Sequence, residues 1–362
     1  MIRLRSAIAG LPVYTAGKTA PGMDRAPSFK LSSNENPFPP LPGVMEATAA
    51  AVAQMNRYPD IANTQMTRKL SNRLSVPEEQ LAFGTGSVAV LYHLLLAACE
   101  VGDEVVYAWR SFEAYPIAVQ LTGATQVPVP LAPGAVHDLA AMRRAVTPAT
   151  KVIMLCTPNN PTGPALHHQQ VIDFIDSVPD HIMIVLDEAY AEFITDPEAL
   201  RGLHAMAARP NVVVLRTFSK AYGLAGFRVG YCVADPQVAA AVRAVALPFG
   251  VSIAAQAAVI ASLDAEALLL DRVAELVKAR DALAVGLRDL GFEIPDAQGN
   301  FVWLPGGPQT DSYAAAFARA GVAVRPYASG GDWDGLRITV GEPAANALVL
   351  EVAATLADPT LR

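Results

Sequence analysis

Lys220 closes the segment Arg216-Thr217-Phe218-Ser219-Lys220, directly after the apolar run Val212–Leu215. Most lysines are solvated surface charges. This one stands among Ser, Thr, Tyr and Gly between two apolar runs, where an amine can lose its charge and become a nucleophile. Eight residues later Arg228, inside Gly226-Phe227-Arg228-Val229-Gly230, offers planar donors suited to phosphate. Asp187 opens Asp187-Glu188-Ala189-Tyr190 behind the apolar Ile182–Leu186. A carboxylate there needs a cationic partner or an opening to solvent; the plainer alternative is a helix cap. Asn160 lies in Thr157-Pro158-Asn159-Asn160-Pro161-Thr162-Gly163, after the run ending at Cys156. Two prolines stiffen that turn, so Asn160 is either a fixed donor to a ligand oxygen or part of an ordinary strand-to-helix connection. Gly84-Thr85-Gly86-Ser87 precedes the apolar Val88–Cys99. Small residues let backbone N–H groups approach an anion at a helix N-terminus, and a glycine turn with Ser87 as N-cap accounts for it equally well.

These residues cluster just after short apolar runs bounded by turn signals. Leu81–Phe83 precedes the glycine turn, and the runs that follow are Glu104–Ala108, Thr125–Val129, Lys151–Cys156, Ile182–Leu186, Val212–Leu215 and Val229–Val233. Between several of them lie stretches long enough for helices, such as His167–Ser177. That alternation predicts an α/β fold: a mostly parallel central sheet with helices on both faces. Ligands of such sheets sit outside the carboxyl ends of the strands, where the reactive residues cluster. Residues 235–289 are strongly helical, interrupted at Pro248-Phe249-Gly250. The remainder mixes strands (Asn300–Leu304, Leu336–Val340) with helices (Asp311–Ala320, Glu342–Leu356) and reads as a smaller α+β domain. The expected division is an N-terminal arm at 1–40 joining the small domain, a large cofactor-binding domain at 41–250, and an interdomain helix with the small C-terminal domain at 251–362.

Hydrophobic residues make up 52 % of the 362 and charged residues 17 %, enough for a large core and against global disorder. A net charge of −7 argues against general affinity for nucleic acid or anionic membranes. Cys99, Cys156 and Cys232 are widely spaced, with no metal-ligand pairing, and read as reduced buried thiols. Met1–Gly10 lacks the apolar core of a signal peptide, and no run of about 18 apolar residues suggests a membrane span. A cytoplasmic protein without a metal is expected.

Taken together, Asn-Asn-Pro-Thr-Gly at 159–163, Asp-Glu-Ala-Tyr at 187–190, Ser219-Lys220 and Gly-Phe-Arg-Val-Gly at 226–230 resemble the fold-type I pyridoxal 5'-phosphate (PLP)-dependent aminotransferases. Asn34-Glu35-Asn36-Pro37, Arg57-Tyr58-Pro59-Asp60 and Leu336-Arg337-Ile338-Thr339-Val340-Gly341 extend the resemblance over almost the whole chain, within the histidinol-phosphate aminotransferase branch. The resemblance implies roles. Lys220 forms the Schiff base with the cofactor and shuttles the substrate proton. Asp187 pairs with the pyridinium nitrogen, and Asn160 and Tyr190 hydrogen-bond the phenolic oxygen. The phosphate is held by backbone at Ser87 and Val88, by Thr217 and Ser219, and by Arg228. Phe112 stacks on the ring, Arg337 grips the substrate carboxylate, and Asn36 lies on the substrate side. Tyr58 reaches the neighbouring subunit's phosphate, implying an obligate homodimer with shared active sites. An ordinary interface aromatic at Tyr58 and ordinary core at Phe112 are the bland alternatives.

For the substrate, Ala108-Trp109-Arg110-Ser111-Phe112-Glu113-Ala114-Tyr115-Pro116, Gly86-Ser87-Val88-Ala89 and Val324-Arg325-Pro326-Tyr327 resemble the aromatic (phenylalanine) aminotransferases of that branch. Ping-pong transamination of phenylalanine or tyrosine with 2-oxoglutarate is implied. Histidinol-phosphate transamination is the alternative, and Arg325 then serves a phosphorylated substrate unless it is a structural ion pair. A PLP-dependent decarboxylase is separated by CO2 release. A non-catalytic PLP-binding regulator would carry a DNA-binding domain ahead of the core, where only about 40 residues without a basic helix stand.

Overall fold

The computed structural model describes residues 28–357 and, before them, residues 2, 5–8, 10, 11 and 17. Much of the arm expected at 1–40 therefore lies outside the described residues. Among the described residues there are thirteen strands: β1 (Phe29–Lys30), β2 (Leu81–Gly84), β3 (Glu104–Trp109), β4 (Thr125–Ala132), β5 (Val136–His137), β6 (Thr150–Cys156), β7 (Met183–Asp187), β8 (Val212–Thr217), β9 (Gly230–Val233), β10 (Phe301–Pro305), β11 (Val322–Ala323), β12 (Arg325–Tyr327) and β13 (Gly335–Thr339).

Eight of them form one sheet in the order β2-β9-β8-β7-β6-β3-β4-β5. Its middle, β8-β7-β6-β3-β4, is parallel throughout. β9 runs antiparallel to both its neighbours, and β5 runs antiparallel to β4. The near-continuous apolar runs of the middle strands reflect burial on both faces. Along β6, Val152 and Met154 join one apolar cluster, and Ile153 and Leu155 join the other. That alternation is the two-residue period of a strand feeding two separate cores. The helix Ser87–Ala98 supplies Val90, Leu91, Leu94 and Leu95 to the first cluster, and His168–Ser177 supplies Val171, Phe174 and Ile175 to the second.

The helical stretch 235–289 divides into Pro236–Val245, Ile253–Asp264 and Glu266–Asp289, the last two bent by 82° at Ala265. The break after Val245 falls at the expected Pro-Phe-Gly segment. Two helices carried weak sequence signals. Thr64–Leu74 is mostly polar and buries only Met66, Thr67 and Leu70. Ala114–Thr122 contains Pro116, admitted in its first turn, where backbone N–H groups have no intrahelical partner. No single helix among the described residues is long and apolar enough to cross a membrane.

A second, antiparallel sheet has the order β10-β13-β12, and β1 pairs in parallel with β11 beside it. Arg325 of β12 and Arg337 of β13 are direct cross-strand partners, so both side chains leave the same face.

Candidate active site

Loops leaving the carboxyl ends of β2, β3, β6, β7 and β8 meet the face of β12 and β13 that carries the two arginines, and a cleft of about 250 Å³ lies between them. Lys220 lies three residues past β8, Asp187 ends β7, Asn160 lies four past β6, Phe112 three past β3, and Ser87 three past β2. Ser87, Val88, Phe112, Asn160, Asp187, Tyr190, Thr217, Ser219, Lys220, Arg228 and Arg337 all line the cleft.

Asp187 is 5 % exposed. Its Oδ2 accepts the Tyr115 hydroxyl proton at 2.8 Å, and its Oδ1 is buried with no partner among the described residues. Burial pushes the carboxyl up to about 6, opposed by the bond from Tyr115 and by the Ala189 N–H. A buried, orphaned carboxylate oxygen on a cleft wall is costly unless a cationic or N–H group meets it there.

Lys220 Nζ donates to Ser33 O (3.0 Å) and Asn34 O (3.2 Å). Withdrawal from water pulls the amine down to about 7; the Arg337 and Arg228 charges pull the same way, and Glu35 opposes. Near neutral pH a large fraction is therefore the free amine, the form that attacks carbonyl carbon and takes up protons.

The anion-binding end is built by close approach. Gly86 has φ 88°, and a Cβ there would lie 2.4 Å from Arg228 Nη2. A Cβ on Gly230 would lie 2.2 Å from the Ser87 backbone nitrogen. Arg228 itself takes φ 57°, rare for a side chain of its size, and its Nη1 donates to Ser219 Oγ (3.2 Å) and Ala225 O (3.0 Å). Thr217 Oγ1 accepts the Ser219 N–H at 3.1 Å. Two small hydroxyls, one guanidinium and the N-terminus of Ser87–Ala98 thus converge, a set suited to phosphate.

Across the cleft, Arg337 donates from Nη1 to Asn160 Oδ1 (2.6 Å) and Tyr327 Oη (3.3 Å), and from Nη2 to Ser32 O (2.7 Å). Its Nε is buried without a partner among the described residues. Tyr190 Oη accepts from Asn34 Nδ2 at 2.9 Å, and Phe112 meets Tyr115 edge-on at 5.7 Å.

Two predicted residues stand elsewhere. Asn36 turns its carboxamide onto the chain: Nδ2 donates to Ala221 O (2.9 Å), and Oδ1 accepts from Phe38 N (2.9 Å). Both ends being taken by backbone, it braces the Lys220 loop and does not line the cleft. Tyr58 is 81 % exposed and stacks on Phe249 at 4.6 Å, outside the cleft.

Sequence reading passed over the residues that orient these groups. Tyr115 is held in a buried cluster of rings and reaches Asp187 from a helix 72 positions earlier. Asn34 takes φ 52°, fastens Tyr190, and presents its carbonyl to Lys220. Asn159 is fixed by Ser111 Oγ (2.8 Å) and by His137 Nε2 (3.2 Å), and burial drops that imidazole to about 4, keeping it neutral. The repeated Asn-Asn and the tyrosine three positions after Phe112 were the available signals, too short to identify partners.

The profile for aminotransferase class I and II matches residues 26–352. This chain is similar to the aromatic amino acid aminotransferase of Streptomyces avermitilis, 53 % identical over 350 residues, which are 97 % of this chain and 96 % of that one. Its counterpart in Streptomyces coelicolor is 53 % identical over 351 residues with the same coverage. Among solved structures, histidinol-phosphate aminotransferase from Sinorhizobium meliloti in complex with pyridoxal-5'-phosphate superposes with a TM-score of 0.88 at 28 % identity, over 98 % of this chain and 99 % of that one.

Proposed function

Since the chain belongs to the class I and II aminotransferase family, we propose that it exchanges an amino group between an aromatic L-amino acid of the phenylalanine or tyrosine type and 2-oxoglutarate. It is an aminotransferase, its cofactor is PLP, and its substrates are amino acids and 2-oxo acids. The cleft fits that cofactor. The orphaned Asp187 Oδ1 meets the need for a partner to a protonated ring nitrogen, and the Gly86–Arg228 corner suits the phosphate. When bound, PLP supplies an electrophilic carbon and an electron-withdrawing ring.

The protein's own groups do the rest. Asp187 keeps the proton on the ring nitrogen, and Tyr115 holds Asp187 in place. Asn160 and Tyr190 would hydrogen-bond the ring's phenolic oxygen, and Phe112 would stack on the ring. Backbone at Ser87 and Val88, with Thr217, Ser219 and Arg228, would hold the phosphate. Arg337 binds the substrate's α-carboxylate in a bidentate grip and so aims the Cα–H bond at Lys220. The neutral Lys220 Nζ removes that proton and later returns it. The observation that carries this reading is a lysine amine held by two backbone carbonyls and a buried carboxylate oxygen without a partner among the described residues, both in one cleft.

The aromatic substrate class is supported by relatives of that name at 53 % identity, against 28 % for the histidinol-phosphate enzyme, and by Val88 and Phe112 on the cleft wall. A substrate panel tests it: phenylalanine, tyrosine, histidinol phosphate and aspartate, each against 2-oxoglutarate, with cofactor absorbance as readout. Phenylalanine or tyrosine is expected to lead in kcat/KM by about tenfold or more, the scale of discrimination an apolar pocket provides. A lead for histidinol phosphate overturns the substrate class, and failure to take up PLP overturns the reading as a whole.

A homodimer working in the cytoplasm belongs to the same proposal. Exposed Met55, Tyr58, Ile61, Leu247 and Phe249 are apolar groups for a second copy to cover, and in that dimer Tyr58 would reach the partner's phosphate. Sedimentation of the PLP-loaded enzyme at twice the 38.1 kDa chain mass is the expected result.

Two substitutions probe the site's construction. Tyr115→Phe removes a bond to a charged acceptor, worth roughly 1.5–3 kcal/mol, so the Asp187 carboxyl rises by ~1–2 units. Activity needs Asp187 ionised and is lost as pH falls. The acid limb of the kcat profile is expected to move to higher pH, and an unmoved limb counts against Tyr115 as the positioning residue. Gly86→Ala pushes the Arg228 guanidinium out of its corner. Titration is expected to give a PLP dissociation constant higher by ~10–100-fold, the loss of one charge-assisted phosphate contact.

A further inference from the structure

The two arginines on the small sheet are not equivalent. Arg337 makes no ion pair among the described residues: its hydrogen bonds go to a carboxamide, a phenol and a backbone carbonyl. Its positive charge remains available to a substrate anion. Arg325, its cross-strand partner, donates from Nη2 to Glu113 Oε2 at 2.7 Å. Both members of that pair line the cleft. Apart from Arg228 at the phosphate end, the cleft therefore offers one guanidinium without a carboxylate partner among the described residues, Arg337, and one already matched by a carboxylate, Arg325.

Building on the aminotransferase reading, we propose that Glu113 is a specificity-determining residue. Its pairing with Arg325 reserves that end of the cleft for an uncharged side chain, and a second anionic group enters only by displacing the Glu113 carboxylate. Two features make the displacement workable. Arg325 is rooted in a strand with a side chain 9 % exposed, whereas Glu113 stands at the start of a helix with a side chain 28 % exposed and can turn to water. A monocarboxylate such as phenylalanine needs Arg337 alone. A dicarboxylate such as glutamate or 2-oxoglutarate gains the second guanidinium but must first break the pair, a cost the uncharged side chain does not meet.

The test uses the PLP-loaded enzyme and monitors each half-reaction by cofactor absorbance, with phenylalanine alone and with glutamate alone. In Glu113→Gln the guanidinium loses that carboxylate while the side-chain shape is kept. The ratio of apparent KM for glutamate to that for phenylalanine is expected to fall by about fivefold or more. Glu113→Asp restores the charge and is expected to bring the ratio back toward the wild-type value. Arg325→Gln is expected to move it the opposite way, against glutamate. A ratio that stays put in Glu113→Gln, or equal shifts for both substrates, overturns the proposal. The aromatic reading fails separately if wild-type enzyme reacts with glutamate and not with phenylalanine. The ratio is then taken against alanine, whose uncharged side chain poses the same question to Glu113.

Discussion

Lys220→Ala is expected to abolish the visible absorption of covalently held PLP and to lower transamination by about 10⁴-fold, the upper range for losing a positioned base and larger than any other single change proposed for this cleft. Lys220 is the one lysine among the described residues that line the cleft, and two backbone carbonyls aim its nitrogen. The same amine predicts a pH dependence. Its value falls from 10.5 to about 7 on folding, so the folded protein gives up the proton through a window in which the unfolded chain keeps it. Below about 7 the buried ammonium costs stability, and that cost is relieved as pH rises through the window. Capture of PLP by cofactor-free protein needs the free amine, so its rate is expected to climb with pH around a midpoint near 7. Stopped-flow absorbance at a series of pH values measures this. A rate that is flat from 6 to 9, or a wild-type band in Lys220→Ala, would show that another amine does the chemistry.

Asp187→Asn is expected to separate binding from reaction. The amide keeps the shape and still accepts from Tyr115, but it no longer holds a proton on the ring nitrogen. Loss of one preorganised charge costs ~10²–10³-fold in kcat, while PLP still binds through the Arg228 corner. Stability moves the other way. In cofactor-free protein the carboxyl rises to about 6 from an ordinary value of 3.8. The unfolded chain then ionises first, and stability falls as pH rises from about 4 through 6. Above 6 the buried charge costs roughly 2–3 kcal/mol, which the amide removes. Cofactor-free Asp187→Asn is therefore expected to melt higher than wild type at pH 7 and to lose that advantage below pH 4. Calorimetry of the two cofactor-free proteins checks it; equal melting temperatures at pH 7 would mean that Asp187 is solvated.

Much of this architecture is legible because strand and loop chemistry is local. Runs such as Lys151–Cys156 and Val212–Leu215 read as strands buried on both faces, and they became the parallel middle of the sheet. Once the strands are parallel, the loops at their carboxyl ends must collect along one edge, which is why Asp187, Asn160, Lys220 and Ser87 share a cleft. Their types and offsets needed no knowledge of strand order.

The partners of those groups did need it. Tyr115 reaches Asp187 across 72 positions because β3 adjoins β6, which adjoins β7. Arg325 meets Glu113 across 212 positions because a β12–β13 register turns it to the same face as Arg337. Asn36, by contrast, found backbone acceptors in the Lys220 loop before any ligand. The sequence by itself determined which residues carry reactive groups and that they gather at one sheet edge, since both are set by hydrophobic period and chain direction. Only the tertiary structure decided which charge is matched and which is left open, because pairing depends on distances between segments remote in the chain.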